Sequence, residues 1–167
     1  MSNNILEIYI KYIIKKNEEP ITSLHVYDFD STLFNTPKQK IDLAIGIESN
    51  NYWLENIVEQ ARKSIDAYNV LTVMCTARSA IDKVINDTEF LLANKGLNFD
   101  KIFFKPTNRK MSNAKYKSDY IEMVLNDYPH IQEIIFYDDD HRNLLSVKKL
   151  AIARGIRYVA VDPQLDF

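Results

Sequence analysis

Hydrophobic positions follow two rhythms along this chain, and the two alternate. Short apolar runs predict strands over residues 24–30, 70–75, 101–104, 133–137 and 156–161. Between them, apolar residues recur at three- and four-residue spacings. This predicts amphipathic helices over residues 52–68, 80–95, 115–126 and 142–154. A further helix is predicted over residues 5–16, on Ile5, Ile8, Tyr9, Tyr12 and Ile13. Gly96 and Gly155 stand where two of these helices should end. Residues 33–50 are polar and irregular.

Strands that alternate with helices of this length imply βαβ crossovers and a parallel sheet covered on both faces. The fold class is therefore α/β. The architecture is a three-layer α/β/α Rossmann-like sandwich around a mainly parallel five-stranded sheet. Residues 1–167 are assigned to one domain, with the helix in residues 1–20 packed on it and residues 33–51 forming a short flap. That flap is too short for a folded cap over the site.

Composition narrows the function. Hydrophobic residues make up 46% and charged residues 26%, which is a globular balance. The net charge of −2 gives no global basic field of the kind nucleic-acid binders carry. The glycines, Gly46, Gly96 and Gly155, cannot form a dinucleotide fingerprint or a Walker loop. Cys75 is the single cysteine, so a disulfide or a zinc site of the usual Cys/His kinds is not expected. No apolar run approaches the ~20 residues that span a bilayer. The N-terminal segment lacks the pattern of a signal peptide, so a cytoplasmic protein without membrane contact is expected.

Ligands in open parallel sheets bind beyond the carboxyl ends of the strands. The residues expected there are Asp28 and Asp30, then Thr76 and Arg78, then Lys105, then Asp138, Asp139 and Asp140. Lys115 and Lys117 open the helix that precedes the last acidic cluster. Carboxylates, a hydroxyl and a lysine on one edge are the inventory of phosphoryl transfer with Mg²⁺. Asp28 can attack phosphorus, and Asp30 can carry a proton to and from the reacting oxygens. Asp138 and Asp139 add hard oxygen donors for the ion. Thr76 and a lysine would hold the phosphoryl oxygens. Lys117 is favoured over Lys105 because it opens the helix before the acidic strand. Each feature also has a plainer reading. Asp28 and Asp30 could form a turn, residues 138–140 or Thr76 could cap a helix, and the lysines could line a solvated loop.

The segment from His25 to Phe34, an apolar strand followed by D-x-D-x-T, resembles the first motif of the haloacid dehalogenase (HAD) superfamily. Thr76 and the acidic pair after Tyr137 resemble its second and fourth motifs, in the same order. Several residues also resemble the Swiss Army Knife RNA-repair-like group of HAD phosphatases. They are Tyr27 to Pro37, Trp53, Lys105-Pro106, Tyr116-Lys117 and Tyr137-Asp138-Asp139. This resemblance implies Asp28 as nucleophile and metal ligand. It implies Asp30 as general acid and base, with its backbone carbonyl on the ion, and Asp139, with Asp138 beside it, completing the Mg²⁺ site. Thr76 and Lys117 would contact phosphate. The group usually has glycine where Ala77 stands and arginine where Asp140 stands, and its next histidine is out of register with His141.

The expected activity is thus a Mg²⁺-dependent phosphohydrolase working through an aspartyl-phosphate. Its substrate would be a phosphomonoester, with a nucleic-acid end as a candidate for an open site. Lys101, Lys105, Arg109, Lys110, Lys115 and Lys117 lie in one stretch without an acid, and could follow a phosphate backbone. Arg78, Arg109 and Lys110 are placed on the substrate side. The alternatives are a non-catalytic nucleic-acid or partner-binding module, or a receiver-like phosphoacceptor domain. The second alternative would need the acid pair early and the acceptor in mid-chain, the reverse of the order found.

Overall fold

Each apolar run forms a strand, and each passage between strands carries a helix. The computed structural model describes residues 20–36, 52–108 and 110–167. The helix expected over 5–16, residues 37–51 of the expected flap, and Arg109 lie outside the described residues. The described elements are β1 (Ser23–Tyr27), α1 (Glu55–Asp66), β2 (Val70–Ser79), α2 (Asp82–Lys95), β3 (Lys101–Lys105), α3 (Asn113–Asp127), β4 (Glu133–Tyr137), α4 (His141–Arg154) and β5 (Arg157–Val161). The sheet order is β3-β2-β1-β4-β5, and every neighbouring pair is parallel. None of the helices among the described residues is long and apolar enough to cross a membrane.

Strand alternation separates the two helical layers. Leu24 and Val26 of β1 are fully buried in one apolar cluster with Val124 of α3 and Val147 and Ala151 of α4. Tyr27 joins the opposite cluster, with Ile57, Val58 and Ala61 of α1 and Leu91 and Leu92 of α2. His25 and Tyr27 both meet the Ser64 hydroxyl of α1, at 2.6 and 2.7 Å. Two neighbouring strands reinforce this layer, with the Tyr27 and Tyr137 rings stacked at 4.2 Å.

The chain winds outward from β1 through β2 to β3, then crosses back to β4 on the other side of β1. The join of β1 and β4 is therefore the topological switch point, where the loops leave in opposite directions and open a crevice. In register, Tyr27 pairs with Tyr137, so Asp28 and Asp138 leave adjacent strands side by side.

Two boundaries differ from the sequence expectation. β2 continues beyond the apolar run to Ser79 because the chain goes on pairing with β3 after a register shift between Thr76 and Ser79. The expected helix from 52 begins only at Glu55, because Trp53 first forms an isolated bridge with Phe34. Residues 33 and 34 of the expected flap are fully buried rather than loose. Gly96 ends α2 at φ +72°, the left-handed turn in which its amide and that of Leu97 satisfy the last carbonyls.

Truncating Leu24 to alanine is expected to lower the unfolding free energy by about 2–5 kcal/mol, since it leaves a void under both α3 and α4. Urea unfolding with an unchanged m-value checks this. A loss below about 1 kcal/mol would mean that this face of the sheet is not close-packed.

Candidate active site

The site begins with two backbone extensions of the sheet. The Asp28 amide donates to the Tyr137 carbonyl at 2.9 Å, and the Asp138 amide donates to the Val161 carbonyl at 3.1 Å. Both carboxylates thus sit one residue past a fixed ladder, and both are buried. Buried carboxylates need charge partners and hydrogen bonds. Lys117 of α3, itself only 1% exposed, supplies both. Its ammonium donates to Asp28 Oδ1 at 2.7 Å and to Asp138 Oδ2 at 2.6 Å. Asp138 is further fixed by the Asp140 amide at 2.8 Å and by the Asn143 side-chain amide, which donates to both of its oxygens at 3.2 and 3.0 Å.

The charges pull against one another. Burial raises the Asp28 carboxyl above its ordinary range, Lys117 opposes the rise, and Asp138 adds to it. Burial alone would lower the Lys117 ammonium, but Asp28 and Asp138 outweigh it and the group is held above its usual value. Asp139 is raised by partial burial and by the neighbouring Asp138. Asp140 lies outside this group. It caps α4, and the Arg142 hydrogen bonds hold its carboxyl low.

Asp30 is placed by a tight turn. The Leu33 and Phe34 amides return to the Phe29 carbonyl at 3.0 and 2.9 Å, with Ser31 in the left-handed region at φ +60°. The turn is anchored by Phe29, which stacks on Phe34 at 5.4 Å and meets Trp53 edge-on. The Asp30 carboxylate then receives a two-pronged contact from Arg78, Nε to Oδ2 at 2.9 Å and Nη2 to Oδ1 at 2.8 Å. The Thr36 hydroxyl also donates to Oδ1.

These groups line one cleft of about 360 Å³, which contains Asp28, Asp30, Arg78, Lys117, Asp138 and Asp139. The remaining candidates are placed differently. Thr76 is fully buried, and its hydroxyl accepts the Arg78 amide at 3.1 Å. Lys105 turns to the Asn113 side chain at 2.8 Å and does not reach the carboxylates. Lys110 is exposed, and neither it nor Lys105 lines the cleft. Arg78, read from the sequence as a substrate-side group, lies in the cleft with its guanidinium committed to Asp30.

Among the described residues, Asp28, Asp138 and Asp139 can each present an oxygen so that all lie within 4.8 Å of one another. Three carboxylates against a single ammonium leave the cluster anionic, and hard oxygen donors of this kind suit Mg²⁺. The donor set therefore fits the ion. The Asp30 carboxylate is not in this trio, and its expected share in the site was through the backbone carbonyl.

A parallel sheet of this order, with acids leaving β1 and β4 at the switch point and a lysine from the intervening helix between them, defines a HAD-like domain. Residues 25–153 match the family described as HAD domain family 1 in Swiss Army Knife RNA repair proteins, and the chain belongs to that family. It is also 24% identical over 162 aligned residues to Uncharacterized protein YMR265C of Saccharomyces cerevisiae, covering 73% of this chain and 35% of that protein. Two solved structures share the fold. A chain of the Pnkp1/Rnl/Hen1 RNA repair complex superposes with a TM-score of 0.61 at 12% identity, over 85% of this chain and 43% of the other. A chain from another structure of the Pnkp1/Rnl/Hen1 complex gives 0.61 at 13% identity, over 87% and 48%. The present chain thus spans less than half of each of these relatives.

Lys117→Met should leave two buried carboxylates uncompensated and cost about 3–5 kcal/mol. Adding Asp28→Asn and Asp138→Asn to it should recover roughly half of that loss or more, because the stranded charges go with the lysine. Chemical unfolding in a chelator makes the comparison. A triple variant no more stable than the single one would show that the lysine does not offset these two acids.

Proposed function

We propose that this domain is a Mg²⁺-dependent phosphohydrolase that cleaves phosphomonoesters through a phosphorylated Asp28. The observation that carries the reading is the buried Asp28 at the switch point, paired to Lys117 and clustered with Asp138 and Asp139. Membership of the family supports it.

In the reaction, an Asp28 carboxylate oxygen attacks phosphorus while the bond to the leaving oxygen breaks. That oxygen takes the proton carried by Asp30. The product is an aspartyl-phosphate and a free alcohol. Asp30, now ionised, accepts a proton from a water that attacks the same phosphorus. The phosphorus–oxygen bond to Asp28 breaks, inorganic phosphate leaves, and the carboxylate is restored. Lys117 steadies Asp28 in its ionised form and, as a lining residue of the cleft, would meet the transferring phosphoryl oxygens. Mg²⁺ held by Asp28, Asp138 and Asp139 would weaken the repulsion between an anionic nucleophile and an anionic substrate.

Access and company support a substrate class. β3 passes to α3 through residues 106–112, a stretch too short for a folded cap. The exposed Lys110 and Arg142 stand on the chain near the cleft's rim residues Asn113 and Asp140. The family is one of RNA repair proteins, and a solved relative is an RNA repair complex. Phosphorylated nucleic-acid ends are therefore the substrate class proposed, and the protein is expected to act inside the cell.

Asp28→Asn is expected to reduce hydrolysis of an aryl phosphate by at least about 1,000-fold, as loss of a covalent nucleophile does. Retention of wild-type turnover by this variant would overturn the mechanism. Comparing oligonucleotides with terminal phosphates, mononucleotides and sugar phosphates then decides the substrate class. Mg²⁺ at roughly 100 times its dissociation constant should add about 2.7 kcal/mol of stability, read as a raised melting temperature. The shift should vanish in Asp139→Asn, and an equal shift there would remove Asp139 from the metal site.

A further inference from the structure

The two carboxylates of the D-x-D pair are held in unlike ways, and the difference assigns a role to Arg78. Arg78 comes from the end of β2, within the register shift between Thr76 and Ser79 that offsets this strand from β3. Its guanidinium is held from three sides. Nε and Nη2 fork onto Asp30 at 2.9 and 2.8 Å, and Nη1 donates to the Thr88 hydroxyl of α2 at 3.1 Å. The Phe29 ring lies under its central carbon at 4.5 Å. The Arg78 side chain is 15% exposed and that of Asp30 is 38% exposed. A planar fork seated this way fixes both the place and the plane of a carboxylate.

The hydrogen bonds also distinguish the two Asp30 oxygens. Oδ1 accepts from Arg78 and from Thr36, which fills it. Among the described residues, Oδ2 accepts from Arg78 Nε alone. Each carboxylate oxygen offers two lone-pair directions. Among these residues Oδ2 therefore keeps one lone-pair direction unfilled.

We propose that Arg78 is a positioning residue for proton transfer, orienting Asp30 so that Oδ2 faces the departing oxygen of the substrate. The role rests on the phosphohydrolase reading above. Arg78 acts through Asp30 and does not bind the transferring phosphate. On kcat/KM, which ends at departure of the leaving group, its loss therefore matters only where the leaving oxygen needs a proton. An alkyl phosphate needs one, and 2,4-dinitrophenyl phosphate, whose leaving group departs as a stable anion, does not.

The test is kcat/KM for both substrates, which covers every step up to departure of the leaving group. Arg78→Gln should lose roughly 100-fold on the alkyl phosphate and less than about threefold on the dinitrophenyl ester. Asp30→Asn should show the same split, and the double variant should lose no more on the alkyl ester than Asp30→Asn alone. Equal losses on the two substrates, with a raised KM, would overturn the proposal and make Arg78 a phosphate ligand. Should Arg78→Gln not fold, the same ratio is read on Arg78→Lys, which keeps the charge and loses the fork. A ratio near one there overturns the proposal as well. A wild type that hydrolyses neither ester would overturn the phosphohydrolase reading and this role with it. An active wild type isolates the question of Arg78.

Discussion

The ammonium of Lys117, set between Asp28 and Asp138 in a dry interior, is the interaction on which the rest of the site depends. Like charges on neighbouring strands repel, and burial removes the water that would screen them. Without the lysine, the register that pairs Tyr27 with Tyr137 would bring two anions together uncompensated. With it, the strand ends can stay close and still present carboxylates to a ligand. The lysine must come from α3, because that helix leads into β4 and packs on the β1 face that carries Leu24 and Val26. Core packing and site electrostatics are in this sense one constraint.

The same sheet creates a second constraint at β2. A regular strand would have ended with the apolar run at Cys75. Continued pairing with β3 after the register shift carries the chain to Ser79, and Arg78 is delivered to the cleft on a strand instead of a free loop. Phe29 then serves twice. It anchors the turn that carries Asp30, and it supports the guanidinium that meets Asp30. Positioning by strand and ring is tighter than by loop, which suits a group whose direction matters.

Much of the fold was legible because hydrophobic period reflects which faces are buried. The five strands, the helical crossings and the acids at the strand ends follow from that rule alone. Asp28 and Asp30 stand out because two acids at a buried strand end are costly without a purpose. Lys117 was harder to separate from Lys105, since both flank the same loop; burial distinguishes them, and burial belongs to the fold. Arg78 and Asp30 are 48 positions apart, so nothing local pairs them. Asn143 in the first turn of α4 has the composition of a surface residue, yet it is 4% exposed because it supports Asp138. The helix expected over residues 5–16 and most of the expected flap lie where the described structure does not reach.

Two carboxylates separated by one residue thus acquire different characters from their surroundings. Asp28 is buried and meets a compact ammonium through one oxygen, which leaves its other oxygen uncommitted to that pair. Asp30 is more exposed and meets a planar fork through both oxygens, which fixes its direction. A nucleophile needs an oxygen able to approach phosphorus along a line, whereas a proton carrier needs a defined lone-pair direction at a set distance. Lysine, a point charge on a flexible stem, suits the first need, and arginine suits the second. Exchanging the two cations would keep the net charge of the cleft and lose this division. The choice of cation, more than the count of charges, separates the proposed roles of Asp28 and Asp30.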